Sequence, residues 1–264
     1  MTSAPASAPE PRTDGSPDTV TSADDAAATV AVPQVPVVGF DLDMTLVDSS
    51  DGIAATLRAV LAEVGVTVTA ADTWPYAGMP LDLILAGLAP GTPAEEIDVL
   101  QARYRHLYPS LGIASVRPYP GAAAALAAPA AHGGRSVVVS AKHTPNVHRV
   151  LSVTGLAGAV ADADVTGDLF AEDKGLRLAQ LGATAYVGDH PGDVRAAAVA
   201  GAVAVAVTTG SHDTAALLEA GADVVLSSLE DFPDWLSTHV VDLRSGGARH
   251  DGGRKSERAA PLPG

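Results

Sequence analysis

Val35-Pro36-Val37-Val38-Gly39-Phe40-Asp41-Leu42-Asp43-Met44-Thr45-Leu46-Val47-Asp48-Ser49 is the stretch that decides the fold of this chain. Its apolar run, Val37 to Phe40, reads as a buried β-strand. Two carboxylates, Asp41 and Asp43, follow where that strand ends. In an open α/β sheet, ligands bind at the carboxyl ends of the strands. Two like charges leaving a core are costly unless something offsets them, and a divalent cation would do so. A plain surface turn with two aspartates has the same local sequence, so the rest of the chain has to decide between the two.

Outward from that strand the pattern turns helical. Ile53, Leu57, Val60, Leu61 and Val64 fall at helical spacing, and Gly65 ends the run. Trp74, Pro75, Tyr76, Gly78 and Met79 form a turn-like stretch. Leu81, Ile84, Leu85 and Leu88 make a second apolar stripe; Ile97, Leu100, Tyr104, Leu107 and Tyr108 make a third. Pro90, Gly91 and Pro93 mark a loop between them. No strand is expected from Ser50 to Val116, so residues 50–117 read as an inserted helical domain, with Arg117 to Gly121 as a hinge-like return. From Gly121 onward strands alternate with helices. Strands are expected at Arg135–Ser140, in short pieces at Ala159–Val160 and Val165, at Thr184–Gly188, at Ala202–Val207 and at Ala222–Leu226. Helices are expected between them, with a closing helix at Leu229–Leu236. This alternation predicts an α/β fold, a Rossmann-like, doubly wound parallel sheet covered on both faces. Its core would be residues 35–49 and 118–241, and an α-helical cap 50–117. Residues 1–34 and 242–264, rich in Ala, Pro, Ser, Gly and charged residues, read as disordered tails.

The chain has 264 residues, of which 47% are hydrophobic and only 4% aromatic, so its core is built from Ala, Val and Leu. A formal net charge of −15 argues against nonspecific binding to nucleic acid or to an anionic membrane surface. It leaves room for a phosphorylated metabolite, because a metal and a few basic side chains reverse the field locally. With no cysteine there is no disulfide, thiolate nucleophile or Cys-ligated zinc. No signal peptide or membrane span is read, which makes the cytoplasm the expected location.

Three strand ends and one segment between them carry polar chemistry. The first delivers Asp41 and Asp43, the next Ser140, and a later one Gly188-Asp189-His190-Pro191-Gly192-Asp193; Lys174 lies in the segment between the last two. A doubly wound sheet brings these ends to one edge. Singly, each has a plain role. Ser140 would cap a helix, Lys174 would be a solvated lysine, Asp189 and Asp193 would be a loop residue and a helix-start charge, and His190 would be structural. Together, carboxylates suited to Mg²⁺, with an ammonium, a hydroxyl and helix-start N–H groups for phosphate oxygens, fit phosphoryl transfer assisted by one hard cation.

With these residues in order, residues 35–236 resemble the haloacid dehalogenase superfamily, in its phosphoglycolate phosphatase-like and β-phosphoglucomutase-like branch. Asp41-Leu42-Asp43-Met44-Thr45 stands for the first motif, Ser140 for the second, Lys174 for the third and Gly188-Asp189-x-x-x-Asp193 for the fourth. The helical insert is similar to the family's cap. The resemblance implies Asp41 as a nucleophile that forms an aspartyl-phosphate and Asp43 as the acid and base. It implies a phosphate site of Thr45, Ser140, Ala141 and Lys174, with Thr45 also orienting the first-motif loop. Mg²⁺ would be held by Asp41, the backbone carbonyl of Asp43, Asp189 and Asp193. Two positions depart from the pattern. Met44 stands where most such relatives have Gly and is expected to narrow the entrance or alter cap docking. Ala141 stands where relatives often have Asn and removes one hydrogen bond.

The activity this implies is a Mg²⁺-dependent phosphatase for a small phosphate monoester of the phosphoglycolate or sugar-phosphate kind. Arg58, Arg103, Arg105 and Arg117 are candidates for contact with a second anionic group. A β-phosphoglucomutase-like phosphomutase uses the same motifs, but nothing in residues 50–117 demands it. A noncatalytic phospho-ligand-binding protein would not need both Asp41 and Asp43.

Overall fold

Alternation along the short apolar strands sorts the core into two layers. The computed structural model describes residues 35–244. In chain order its elements are β1 (Val37–Phe40), β2 (Val47–Asp48), α1 (Ser50–Ala62), α2 (Ala70–Thr73), α3 (Leu81–Leu88), α4 (Ala94–Leu111), β3 (Arg117–Pro118), α5 (Ala122–Ala131), β4 (Arg135–Val139), α6 (Thr144–Val153), β5 (Val165–Thr166), α7 (Glu172–Leu181), β6 (Ala185–Gly188), α8 (Pro191–Ala200), β7 (Val203–Val207), α9 (Thr214–Glu219), β8 (Val224–Leu226) and α10 (Phe232–Arg244).

Six strands form one parallel sheet in the order β5-β4-β1-β6-β7-β8. Val38 and Phe40 of β1, Val138 of β4, Val187 of β6, and Val205 and Val207 of β7 face one layer with Val147, Val150, Phe232 and Leu236. Val137, Val139, Tyr186, Ala204 and Ala206 face the other, against Leu178, Val194, Ala197 and Leu217. Burial on both faces is what a parallel sheet with crossover helices requires. Gly39 belongs to this packing: a Cβ there would lie 2.5 Å from Leu178 and 2.7 Å from the Tyr186 ring. The chain fills the sheet on one side of β1 with β4 and β5, then on the other with β6, β7 and β8. The order therefore reverses beside β1, and the crevice at such a switch is where open α/β sheets hold ligands.

The helices α1 to α4 leave and rejoin the core through a small antiparallel pair. Val47 of β2 faces Pro118 of β3, and Asp48 faces Arg117. The Tyr119 N–H donates to the Leu46 carbonyl at 3.0 Å just beyond it. Two-residue strands carry no periodicity, which is why the sequence pattern shows only a turn and a linker there. Other differences are local. Ala157–Ala159 is a 3-10 turn rather than a strand, leaving Val165–Thr166 as the sheet edge. The Thr69 hydroxyl and Asp72 carboxylate cap each other across a single helical turn, α2, too short to show in the apolar pattern. The last helix begins at Phe232, after a 3-10 turn over Leu229–Asp231, and its backbone continues to Arg244. The two expected tails otherwise lie outside the described residues.

Within the insertion, α1 meets the end of α4 at two glycines. A Cβ on Gly52 would lie 2.1 Å from the backbone oxygen of Gly112. Both partners are backbone, so neither can rotate away. Gly52→Ala is therefore expected to destabilise the fold by about 2 kcal/mol, the overpacking range, despite Ala's better helix propensity. Urea unfolding checks this: an unchanged midpoint would contradict the close approach.

Candidate active site

β1 ends at Phe40, and the next residue is tied to the neighbouring strand: the Asp41 N–H donates to the Val187 carbonyl at 2.9 Å. This fixes the Asp41 carboxylate at the sheet's carboxyl edge, 2% exposed. The chain then turns tightly. Leu46 and Val47 N–H groups both donate to the Leu42 carbonyl, and Met44 N–H donates to the Val47 carbonyl at 2.8 Å. Met44 takes φ +60° in that turn, a left-handed conformation that suits Gly and costs other residues roughly 1 kcal/mol. Gly, which the resemblance leads one to expect there, would take this conformation without that cost, and Met44 takes it under strain. Its side chain is buried and its carbonyl accepts the Thr209 hydroxyl.

β6 and α8 supply the second acidic pair. Asp189 follows β6 directly, and Asp193 lies in the first turn of α8. Asp193 accepts the His190 N–H at 3.1 Å, while the His190 Nδ1 accepts the Gly192 N–H at 2.9 Å. His190 is thus a helix cap, as its plain reading had it. Burial pushes its imidazole down to about 4, so it is neutral. Two glycines admit the carboxylates: a Cβ on Gly188 would lie 2.4 Å from Asp193, and one on Gly210 only 1.8 Å from Asp189 Oδ2. Thr45 donates its hydroxyl to Asp189 Oδ1 at 2.8 Å, tying the first-motif turn to the fourth motif.

Asp41, Asp189 and Asp193 converge, with one oxygen from each within 4.8 Å of the others. Lys174, in the first turn of α7, reaches into this group. Its Nζ donates to Asp193 Oδ1 at 2.7 Å and stands 3.2 Å from Asp41 Oδ1. Burial alone would lower its pKa; the charges of Asp193 and Asp41 outweigh that and raise it. Burial lifts the Asp41 carboxyl to about 6 although Lys174 pulls it down. Burial, then Asp193 and Asp41, hold Asp189 well above the usual carboxylate range. Three carboxylates against one ammonium leave two negative charges in excess, which a single divalent cation would balance. Asp41 Oδ1 and Asp189 Oδ2 are buried and make no hydrogen bond. The donor set is all oxygen, as hard divalent cations require. The cluster fits such an ion.

The Asp43 carboxylate is not among the converging three. It accepts Ser49 Oγ at 2.6 Å and both oxygens accept from Lys142 Nζ, each at 2.9 Å. Its neighbourhood is a cavity of about 350 Å³ between the sheet edge and the helical insertion. Asp41, Asp43, Met44, Ser140, Ala141 and Lys142 line its core side. Leu57, Trp74, Tyr76, Met79, Tyr104 and Arg105 are among those facing it from the insertion. Thr45, Lys174, Asp189 and Asp193 lie behind this lining, in the buried layer. Of the four arginines considered, only Arg105 lines the cavity, where it stands 3.5 Å from Asp168 of the core. Arg103 pairs with Glu63, Arg117 donates to the Ala114 and Val116 carbonyls, and Arg58 is exposed away from the cavity. Sequence reasoning missed Lys142, whose one signal was its position two residues after Ser140, and Gly210, which carried none.

A family model described as haloacid dehalogenase-like hydrolase matches residues 38–198, and a second, HAD-hydrolase-like, matches 166–232. The chain belongs to the haloacid dehalogenase-like hydrolase family. A phosphoglycolate phosphatase of Rhodospirillum rubrum is 34% identical over 217 residues, 75% of this chain and 89% of that protein. The tyrosine-protein kinase PtkA of Mycobacterium tuberculosis is 32% identical over 190 residues, 66% of this chain and 62% of that one. A HAD family hydrolase from Deinococcus radiodurans, crystallised with bound phosphate and sodium, superposes with a TM-score of 0.57 at 26% identity, over 78% of this chain and 96% of that one.

Excess charge in the cluster has a measurable consequence. Asp189→Asn relieves repulsion among buried carboxylates while keeping an oxygen for Thr45, so the metal-free variant is expected to melt above wild type. A divalent cation at 100 times its Kd should stabilise wild type by about 2.7 kcal/mol and the variant by much less. Thermal melts in chelator and in Mg²⁺ check both; equal cation shifts in the two proteins would contradict the ligand set.

Proposed function

We propose that the chain is a Mg²⁺-dependent phosphatase that hydrolyses a small phosphate monoester through an aspartyl-phosphate on Asp41. The observation that carries this reading is the carboxylate of Asp41 in a buried, oxygen-only cluster, with an ammonium beside it and a second carboxylate, Asp43, two residues on in the same cavity wall. A carboxylate can attack an anionic phosphoryl group only where positive charge is concentrated. Mg²⁺, held by Asp41, Asp189, Asp193 and the Asp43 backbone carbonyl, supplies Lewis-acid neutralisation of the transferring phosphoryl oxygens when bound.

The remaining chemistry belongs to the chain. An Asp41 oxygen bonds to phosphorus as the ester P–O bond breaks in line. The leaving oxygen takes its proton from Asp43. A water then attacks the phosphorus of the acyl phosphate, gives a proton to Asp43, and phosphate departs with Asp41 restored. Lys174 holds Asp41 and Asp193 in place, and Ser140 with the backbone beside Ala141 receives phosphoryl oxygens. Thr45 contributes by fixing Asp189 rather than through a free hydroxyl, since that hydroxyl is already donated.

Residues 50–117 act as a cap over a core of 35–49 and 118–241, with the β2–β3 pair as its hinge, and exclude water from the reacting atoms. The related hydrolase crystallised with bound phosphate supports the binding of a phosphate group, and the phosphoglycolate phosphatase relatives make 2-phosphoglycolate the reference substrate to test. The volume of about 350 Å³ suits a small metabolite rather than a polymer. No helix among the described residues is long and apolar enough to cross a membrane; the proposed place of action is the cytoplasm.

Phosphate release from 2-phosphoglycolate, sugar phosphates and phosphoserine, with Mg²⁺ and with chelator, tests this reading. Turnover is expected with the metal only. Asp41→Asn should lower kcat by at least about a thousandfold, as loss of a nucleophile does, with the fold retained. Wild-type-like turnover by that variant would sink the nucleophile assignment.

A further inference from the structure

Lys142 is a buried cation that the four motifs do not use. Its side chain is 7% exposed and lies in the loop between β4 and α6, two residues beyond Ser140. Nζ donates to both oxygens of Asp43 at 2.9 Å. Below it lies the face of Tyr108 on α4, with Nζ 4.1 Å from the ring centroid. Tyr104, one helical turn earlier, stacks on Tyr108 at 5.6 Å and lines the cavity. The backbone that carries Lys142 is clamped as well. Its N–H donates to Ser140 Oγ at 3.3 Å, its carbonyl accepts the Asp168 N–H at 2.9 Å, and a Cβ on Gly167 would lie 2.3 Å from that carbonyl.

We propose that Lys142 is a positioning residue for the hydrolysis. It fixes the Asp43 carboxylate in one rotamer, at the place from which it serves both proton transfers, and seats it against cap helix α4 through Tyr108. The inference rests on the reading of Asp43 as the proton carrier and deepens it. In-line displacement puts the leaving oxygen and, later, the attacking water at the same apical position, opposite Asp41. Held still, Asp43 can therefore give its proton to the first as the carboxylic acid and, left as the carboxylate, take one from the second without moving. Ser49 alone holds one oxygen of Asp43 and leaves its rotation open; the two-oxygen contact with Lys142 closes that freedom. Lys142 is itself held from leaving by Tyr108, since a desolvated ammonium over a ring face is attracted to it. A displacement of about 1 Å in a catalytic group is enough to cost on the order of a hundredfold in rate.

The test uses the full chain, Mg²⁺ and two esters that differ in their need for a proton. 4-Nitrophenyl phosphate leaves without one, whereas 2-phosphoglycolate does not. For Lys142→Met with the aryl ester, a burst of about one nitrophenol per active site is expected at a rate within about threefold of wild type. Steady turnover should then be at least about thirtyfold slower, because attack by water still needs Asp43. With 2-phosphoglycolate both steps slow, so kcat falls at least about thirtyfold with no burst, while KM changes less than about threefold. Lys142→Arg, whose planar fork also grips both carboxylate oxygens, should recover kcat to within about tenfold. Because Lys142→Met strands a buried carboxylate at a cost to folding, the pair is also removed together. Asp43→Asn/Lys142→Met should be no slower than Asp43→Asn, since Lys142 acts through Asp43. Lys142→Met within threefold of wild type on both esters would overturn the proposal, as would a double variant slowed further by the full factor of the single one. A wild type silent on both esters would overturn the phosphatase reading itself and the inference with it, whereas an active wild type with an active Lys142→Met overturns the inference alone.

Discussion

One ammonium group organises the acidic floor of this site. Lys174 lies 1% exposed in the first turn of α7, where the helix dipole disfavours a cation, and it is there because Asp193 and Asp41 lie 2.7 and 3.2 Å away. It links three elements that follow one another only through the fold: the end of β1, the first turn of α7 and the first turn of α8. Removing one partner of such a buried pair leaves the other uncompensated, at a cost of about 3–5 kcal/mol. The charge it does not balance is as important as the charge it does. Asp189 remains in excess, tied down by the Thr45 hydroxyl; burial favours its protonated form, and a cation held there would favour the ionised one.

The surroundings of Asp43, the proposed proton carrier, are built by a different rule. Asp43 belongs to the same turn as Asp41 but faces away from the cluster, toward Lys142, Ser49 and the tyrosines of α4. One turn therefore sends one carboxylate to the metal-binding layer and the next to the cavity beneath the cap. The turn explains this: residues at i and i+2 share a face in a strand, and these two separate because the chain leaves the pleat and folds back at Leu42. The opposite wall of the cavity is formed by α1, α4 and the stretch around Trp74 to Asp82. Arg105 and Asp168 meet across that boundary and bring a charged contact of the cap to a core loop whose backbone is left-handed at Asp168, φ +60°.

Much of this was legible in the sequence because it depends on short-range pattern. The run from Val37 to Phe40, the alternation after Gly121 and the three polar strand ends are local signals, and a doubly wound sheet brings such ends to one edge. Lys174, Asp189 and Asp193 fell where a parallel sheet had to put them. What was not legible depends on contacts distant along the chain. The β2–β3 pair joins Val47 to Pro118 with two residues on each side, too few for any period to register. Lys142 looks like any loop lysine until α4 lays Tyr108 against it. Met44 read as a departure in side-chain size, whereas the structure makes it a departure in backbone conformation. Gly210 was one glycine among many, and only the position of the Asp189 carboxylate shows why it has no side chain.

The claim on which all of this turns is that Asp41 carries the phosphoryl group during turnover. Rapid acid quench with radiolabelled 4-nitrophenyl phosphate, whose leaving group needs no proton from residue 43, followed by borohydride reduction and peptide mass spectrometry, reads that group directly. The account predicts an acid-stable, base-labile label, close to one per chain in the Asp43→Asn protein, with reduction converting residue 41 alone to homoserine. Turnover with no label on Asp41 in either wild type or that variant would contradict it, and would require a water to attack the ester in a single step.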